Sequence, residues 1–192
     1  MSDFWLLFEL GFSHVWDLQG YDHLLFLAAL CLPFSASQWK PLLWLITSFT
    51  IGHSLSLILA SLEVVEVSSN WIEFLIPLSI AVTAAYNMIY AQRVWVTSNH
   101  PVMWVTLFFG LVHGFGFAGY FELIRDVEQP LWSSLFFFAL GIEGAQIVLG
   151  ALMLLFSFVA INVLGRNRRD WILVVSSVII GILLPIIFER WP

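Results

Sequence analysis

The chain has 192 residues, of which 60% are hydrophobic and only 10% are charged, and its formal net charge is −6. An ordinary soluble domain has about a quarter of its residues charged, so this composition excludes a soluble enzyme, a disordered chain and a nucleic-acid-binding protein. We therefore predict an all-α integral membrane protein in which residues 1–192 form a single transmembrane domain.

The apolar segments, taken in chain order, predict six membrane-spanning helices. A first apolar run, 4–12, is too short to cross a hydrocarbon core of about 30 Å, so we expect an interfacial or re-entrant segment there. The six predicted helices cover 21–34, 39–62, 71–90, 101–123, 131–164 and 171–188. Helices are expected because every backbone polar group must be hydrogen-bonded inside a membrane. The predicted fold is a six-helix transmembrane bundle preceded by this short N-terminal segment.

Lysine and arginine are unevenly distributed between the loops, and this asymmetry predicts the orientation. Five lie on one side and two on the other: Lys40, Arg93, Arg166, Arg168 and Arg169 against Arg125 and Arg190. Basic loops stay in the cytoplasm, so we expect both termini on the outer side, which is the periplasm if the membrane is a bacterial inner membrane. Acidic residues are frequent in the outer loops, where they either attract cations or only solvate the loops.

A first group of ligand-type side chains lies around the start of the first predicted helix. His14, Asp17, Asp22 and His23 occur within ten residues. Imidazole is a ligand for Ni, Co, Zn and Cu, and a carboxylate adds an oxygen ligand. Gly20 lets the backbone turn sharply, which would bring His14 back towards Asp22 and His23. The alternative interpretation is an interfacial loop with ordinary polar residues.

Two further histidines lie inside predicted helices. His53 lies beside a helix face that carries Thr50, and a polar residue inside a membrane is a functional hypothesis by default. His113 lies between Gly110 and Gly114, a pair of small residues that lets another helix approach closely. The alternative is that each histidine is a hydrogen-bonded packing residue.

Polar residues in three predicted helices indicate a path across the bundle. Glu143 lies well inside its helix, where an unpaired carboxylate is expensive, so it needs a metal, a proton or a histidine. Thr83 and Asn87 are spaced four residues apart and continue towards the cytoplasmic side. With Thr50 and Gln146 they are predicted to line the path. The alternative for Glu143 is a structural pair with a histidine that holds two helices together.

Four motifs, in order, resemble the signature of the HupE/UreJ membrane proteins. They are His14…Gly20-Tyr-Asp22-His23, Phe49-Thr50-Ile-Gly-His53-Ser54, His113-Gly-Phe-Gly-Phe-Ala118 and Gly141-Ile-Glu143-Gly-Ala-Gln146. The resemblance extends from about residue 11 to residue 185. The chain departs from the family pattern in having Val15 after the first histidine, where a proline is usual, and in lacking a histidine-rich loop.

The resemblance implies a function, because members of this family are regarded as nickel or cobalt permeases. It implies that His14, Asp22 and His23 form a metal-binding motif. It also implies that His53, His113 and Glu143 are the matching intramembrane positions. The ion would be attracted by the acidic outer face, bound by the first motif and then passed inwards. Binding requires neutral imidazoles and a charged carboxylate, so uptake should fall in acid.

Two other functions remain open at this stage. The same residues would suit an intramembrane zinc-type hydrolase acting on a lipid or a membrane peptide, with Glu143 or Asp22 as the general base. A structural subunit, in which histidine and glutamate only hold helices together, is the third possibility. The ligand set leaves Ni, Co, Zn and Cu open as the metal and the oligomeric state undetermined. The predicted partners are the metal ion and the lipid bilayer, with no nucleic acid.

Overall fold

The computed structural model describes residues 3–17, 20–65, 67–91, 100–124 and 130–192. Within these ranges the chain forms seven α-helices and no strand. The helices are α1 (Asp3–Val15), α2 (Asp22–Cys31), α3 (Trp39–Ser61), α4 (Ser69–Ile89), α5 (His100–Ile124), α6 (Leu131–Phe158) and α7 (Arg168–Glu189). A short 3₁₀ turn, Ala36–Gln38, leads into α3, and a π-helical turn, Val159–Val163, extends α6. The predicted all-α fold is confirmed for this part of the chain.

Five of these helices, α3 to α7, are long and apolar enough to cross a membrane. The predicted count of six is not confirmed, because the run 21–34 contains only the ten-residue helix α2. Ten residues rise only about 15 Å, half of a hydrocarbon core. Pro33 helps to end α2 at Cys31, since a proline has no backbone N–H to continue the helical hydrogen bonds. The N-terminal segment predicted at 4–12 forms the thirteen-residue helix α1.

The distribution of polar and apolar side chains is that of a multi-pass membrane protein. Large hydrophobic side chains cover the outside, and Leu123 is 83% exposed. Polar side chains lie inside instead, and His53, Gln146 and Ser134 are all fully buried. A soluble fold has the reverse arrangement, with apolar residues inside and polar residues in water. The exposed apolar surface therefore faces lipid.

Two arginine contacts, one at each end of α7, show which segments lie together at each end of the bundle. Arg168, at the start of α7, donates a hydrogen bond of 2.6 Å to the carbonyl of Pro33, so this end also holds the connection between α2 and α3. Arg190, after α7, lies 3.5 Å from the carbonyl of Glu73 near the start of α4. Arg93 and Arg125, which entered the topology prediction, lie outside the described residues. Which end faces the cytoplasm stays a prediction.

Glycine residues bring two pairs of helices into backbone contact. On α3 and α5, a Cβ at Gly52 would overlap the carbonyl of Leu107, and a Cβ at Gly114 would overlap the carbonyl of His53. The contacts advance together along both helices, so α3 and α5 run parallel. Only glycine permits this separation, and it brings His53 and His113 to the same level of the bundle.

The second glycine contact fixes the short helix α1. A Cβ at Gly11 would overlap the carbonyl of Phe138, and a Cβ at Gly141 would overlap the carbonyl of Phe8. Helices α1 and α6 therefore cross with backbone touching backbone. His14 lies one turn beyond Gly11, so this crossing determines where its imidazole lies.

Candidate metal centre

Four histidines from four different helices converge in the interior, and we call them the imidazole cluster. Its members are His14 in the last turn of α1, His23 in the first turn of α2, His53 in α3 and His113 in α5. The ring centroid of His23 lies 4.6 Å from that of His14, 5.8 Å from that of His53 and 5.7 Å from that of His113. The ring centroids of His14 and His53 are 5.7 Å apart. The sequence motifs that contain them are far apart in the chain, and the helix packing brings them together.

Three of these residues form a group that can hold a metal ion. One ring nitrogen each from His14, His23 and His53 lies within 4.8 Å of the other two. The side chain of His23 is 98% buried and that of His53 is completely buried. Three imidazoles at this separation match the nitrogen ligand set of a divalent transition metal.

Five ring nitrogens of the cluster lack hydrogen-bond partners among the described residues. These are buried Nε2 atoms of His14, His23 and His113 and both ring nitrogens of His53. Leaving a buried polar atom unpaired costs about 1–3 kcal/mol, so native proteins rarely accumulate such atoms in one place. A bound cation would satisfy several of them at once.

Hydrogen bonds on the far side of two rings determine which nitrogen faces the cluster. His113 Nδ1 donates to the carbonyl of Phe109 at 2.7 Å, because a carbonyl only accepts. Its Nε2 therefore carries the lone pair. His23 Nδ1 donates to Asp22 Oδ1 at 3.1 Å, and the backbone N–H of His23 donates to the same oxygen at 2.8 Å. This is the arrangement in which a carboxylate orients a metal-binding histidine from behind.

Asp22 lies beside the imidazole cluster and contacts His23. Its carboxylate is engaged by His23, and it is not part of the three-residue group. The observed contacts of Asp22 are thus those to His23, and its predicted role as a metal ligand stays a prediction. Spacing along the chain indicated that the two residues belong together but not which of them faces the ion.

Glu143 also lies outside the imidazole cluster. Thr47 Oγ1 donates to Glu143 Oε1 at 2.6 Å, and the hydroxyl of Thr50 contacts Oε2. The oxygen of Thr50 also lies 3.0 Å from Gln146 Oε1. We call these four residues the oxygen cluster. Thr50 precedes His53 by one helical turn, so it lies about 5 Å from His53 along α3, towards the start of this helix. The partners of Glu143 are therefore two hydroxyl groups, whereas a histidine was considered from the sequence.

Two cavities flank the cluster at successive levels of α5. The first has a volume of about 410 Å³, and its lining includes His14, Asp17, Asp22, His23 and His113. The second has a volume of about 370 Å³ and lies between α2, α4 and α5. Thr83 and Asn87, predicted as path-lining residues, both line the second cavity. The first cavity borders 113–124 of α5 and the second borders 102–109.

Aromatic rings that sequence reasoning did not single out surround the imidazoles. The ring of Phe117 lies 3.8 Å from that of His14, and the rings of Phe49 and Phe26 lie 5.1 and 5.4 Å from that of His113. These rings exclude water from one side of the cluster, which strengthens electrostatic interactions with a bound ion. Phe49 and Phe117 lie within the motifs that carry the family resemblance, which is the signal that could have found them.

The family model described as HupE / UreJ protein matches residues 1–190, nearly the whole chain. The chain belongs to the HupE/UreJ family. No curated protein and no solved structure matches it. In this HupE/UreJ protein, the first three of the four motifs supply the imidazoles. The fourth supplies Glu143, Gln146 and the glycine that contacts α1.

Substitution of Asp22 should distinguish an orienting residue from a ligand. In Asp22→Asn the amide oxygen still accepts from His23, and in Asp22→Leu no acceptor remains. We expect the affinity for Co²⁺ to fall about tenfold in the first variant and about a hundredfold in the second, as for other residues behind a metal ligand. The visible absorption spectrum of bound Co²⁺ should keep its shape in Asp22→Asn. A changed spectrum with equal losses in both variants would instead make Asp22 a ligand.

Proposed function

We propose that this HupE/UreJ protein transports a divalent transition-metal ion, of the nickel or cobalt class, across the membrane. The observation that carries the proposal is the convergence of four buried imidazoles whose inward nitrogens lack hydrogen-bond partners. His14, His23 and His53 would bind the ion, with His113 as a fourth nitrogen at the same level. Family membership supports nickel or cobalt among the metals that imidazole accepts.

The surroundings of the site support passage of an ion. Asp17 and Asp22 line the first cavity, through which an ion would reach the histidines. Negative charge in a concave site concentrates cations. On the opposite side of the site along α3, Glu143 and Thr50 provide oxygen atoms. We propose that the first cavity faces the outer side, in keeping with the predicted orientation.

The geometry favours transport over hydrolysis. A hydrolase would need a general base beside the metal-bound water. Of the two candidates, Glu143 is held by Thr47 and Thr50 outside the imidazole cluster, and Asp22 faces His23. Both carboxylates are thus engaged in roles that suit binding and passage of an ion.

Flux measurements on the purified protein test this proposal. In vesicles of phosphatidylethanolamine and phosphatidylglycerol, loaded with a fluorescent metal indicator, we expect Ni²⁺ or Co²⁺ to enter faster than in protein-free vesicles. Entry should decrease in acid, because protonated imidazole has no lone pair for the ion. His113→Ala should slow entry.

His100→Ala is the matched control for this experiment. It removes the same side chain from the first turn of α5, about 20 Å from His113 along the helix, and should leave the rate unchanged. Tight stoichiometric metal with no flux at any pH would contradict transport and leave the hydrolase.

A further inference from the structure

The second cavity is an apolar cleft that opens towards the surrounding lipid. Val82 and Tyr86 on α4 and Val105 on α5 border it, and each of them is between 41% and 52% exposed. Phe26 and Leu30 on α2 line its inner side and are buried. Water is not held by such a lining, because a buried water needs several polar partners. A hydrocarbon chain is the component of a membrane that matches it.

The polar side chains at the cavity do not change this character. Thr83 and Thr106 each donate their hydroxyl hydrogen, at 2.9 Å, to a backbone carbonyl of their own helix. The amide nitrogen of Asn87 donates to the carbonyl of Ala29 at 2.7 Å. A donor that is already paired needs no polar ligand. These residues therefore border the cavity without making its lining polar.

The cleft lies where α4 and α5 do not fill the space between them. Nearer the other end of α5 the two helices pack closely, since a Cβ at Gly116 would lie 2.8 Å from Ile76 and 3.3 Å from Ile72. At 82–87 of α4 and 102–109 of α5 the cavity lies between the helices instead. An unfilled cleft of about 370 Å³ would forfeit dispersion contacts along its lining, and a hydrocarbon chain restores them.

A basic residue lies at one end of the cleft. Pro33 lines the cavity, and Arg168 donates a hydrogen bond of 2.6 Å to the carbonyl of Pro33. A guanidinium has five N–H donors and a permanent charge, so it can bind a phosphate while it keeps a bond to a carbonyl. Arg166 and Arg169 are exposed and add positive charge at the same end. An anionic phospholipid carries the complementary combination of a negative headgroup and apolar acyl chains.

We propose that the second cavity holds one acyl chain of an anionic phospholipid whose phosphate binds Arg168. Hydrophobic transfer alone gives the chain no preference for the cavity over the bilayer, because both are apolar. The preference comes from the contacts that the lining otherwise lacks and from the pairing of phosphate with guanidinium. The bound chain packs against Phe26 and Leu30 and so supports α2, the short helix that carries His23.

Native mass spectrometry of the purified protein tests this lipid site without any metal. The protein is delipidated in detergent and titrated with phosphatidylglycerol or with phosphatidylethanolamine of the same acyl chains. We expect one phosphatidylglycerol to bind before further lipids add, with an affinity about fivefold above that of phosphatidylethanolamine. Equal affinities, or phosphatidylglycerol that adds without a distinct first step, would contradict a specific site.

Arg168→Gln tests the contact with the phosphate. We expect it to lower the affinity for phosphatidylglycerol about fivefold, which is the contribution of one basic residue at a membrane surface. Arg190→Gln is the matched control, because it removes the same charge at the other end of α7 and should leave the affinity unchanged. Equal effects of the two changes would contradict the assigned contact. Glycerol phosphate, which has no acyl chain, should not displace the lipid, and displacement would contradict a site that depends on the cavity.

Val105→Trp tests the cavity itself. The indole replaces a half-exposed side chain at the opening and occupies space that the acyl chain needs. We expect this variant to lose the first phosphatidylglycerol and the rise in melting temperature that this lipid gives to the wild type. Val148→Trp is the matched control, since Val148 is 45% exposed on α6, outside the cavity lining, and it should keep both.

Retention of the lipid in Val105→Trp would contradict the cavity as its site, and so would an equal loss in Val148→Trp. This comparison leaves Arg168 in place, so it decides the question even if Arg168→Gln fails to fold. All of these results are independent of nickel or cobalt transport, which the flux measurements test separately.

Discussion

His53→Ala is expected to remove the bound metal while leaving the metal-free protein folded. His53 is the completely buried member of the three-residue group, and both of its ring nitrogens lack partners among the described residues. Removing one of three or four nitrogen ligands should weaken Ni²⁺ binding by at least about a hundredfold. Elemental analysis of the detergent-purified protein and competition with a chelating dye measure the loss.

The stability of the metal-free variant distinguishes a metal site from a structural cluster. Truncating a buried ring leaves a cavity, but it also removes two unsatisfied nitrogens, so the two effects oppose each other. We expect the melting temperature of metal-free His53→Ala to stay close to that of the metal-free wild type. Added Ni²⁺ should raise the melting temperature of the wild type and of His100→Ala but not that of His53→Ala.

A structural role predicts a different pattern. If His53 only held helices together, His53→Ala would melt well below wild type without metal, and Ni²⁺ would affect neither protein. Metal that remains stoichiometric in His53→Ala would also contradict the proposed site.

The histidines could be found from the sequence because a polar residue inside an apolar run is an anomaly. The first three motifs singled out His14, His23, His53 and His113, and the family match over residues 1–190 confirms the resemblance. Their mutual arrangement could not be found in this way. The four histidines converge only because particular glycines face particular carbonyls of a neighbouring helix, as Gly114 faces the carbonyl of His53. Such a crossing depends on two segments, and the pattern of one segment does not reveal it.

The partners of Glu143 illustrate the same limit of sequence patterns. The cost of a buried carboxylate predicted that Glu143 needs a partner, and it has one. Thr47 and Thr50, however, lie more than ninety residues away in the chain, and nothing in the local pattern favours them over His113. The helix count failed for a local reason, because hydropathy averages across Pro33, whereas the missing N–H of this proline ends the hydrogen bonding of α2.

Gly141→Leu is expected to displace α1 and to remove His14 from the imidazole cluster. The added side chain would overlap the carbonyl of Phe8, and backbone cannot move aside as a flexible side chain does. Overpacking of this kind destabilises a protein by about 1–3 kcal/mol. A fall in melting temperature and a loss of Ni²⁺ affinity should therefore appear together. Gly181→Leu is the matched control, because nothing lies within 4 Å of a Cβ there.

A double-mutant cycle shows whether the loss of affinity acts through His14. If Gly141→Leu weakens binding by moving His14 away, the double variant with His14→Ala should bind Ni²⁺ no more weakly than His14→Ala alone. Fully additive losses would mean that Gly141 acts on the site by another route. An unchanged affinity in Gly141→Leu would mean that His14 contributes no ligand. His14 lies on a helix too short to cross the membrane, so the crossing of α1 and α6 is what holds its imidazole beside the other three.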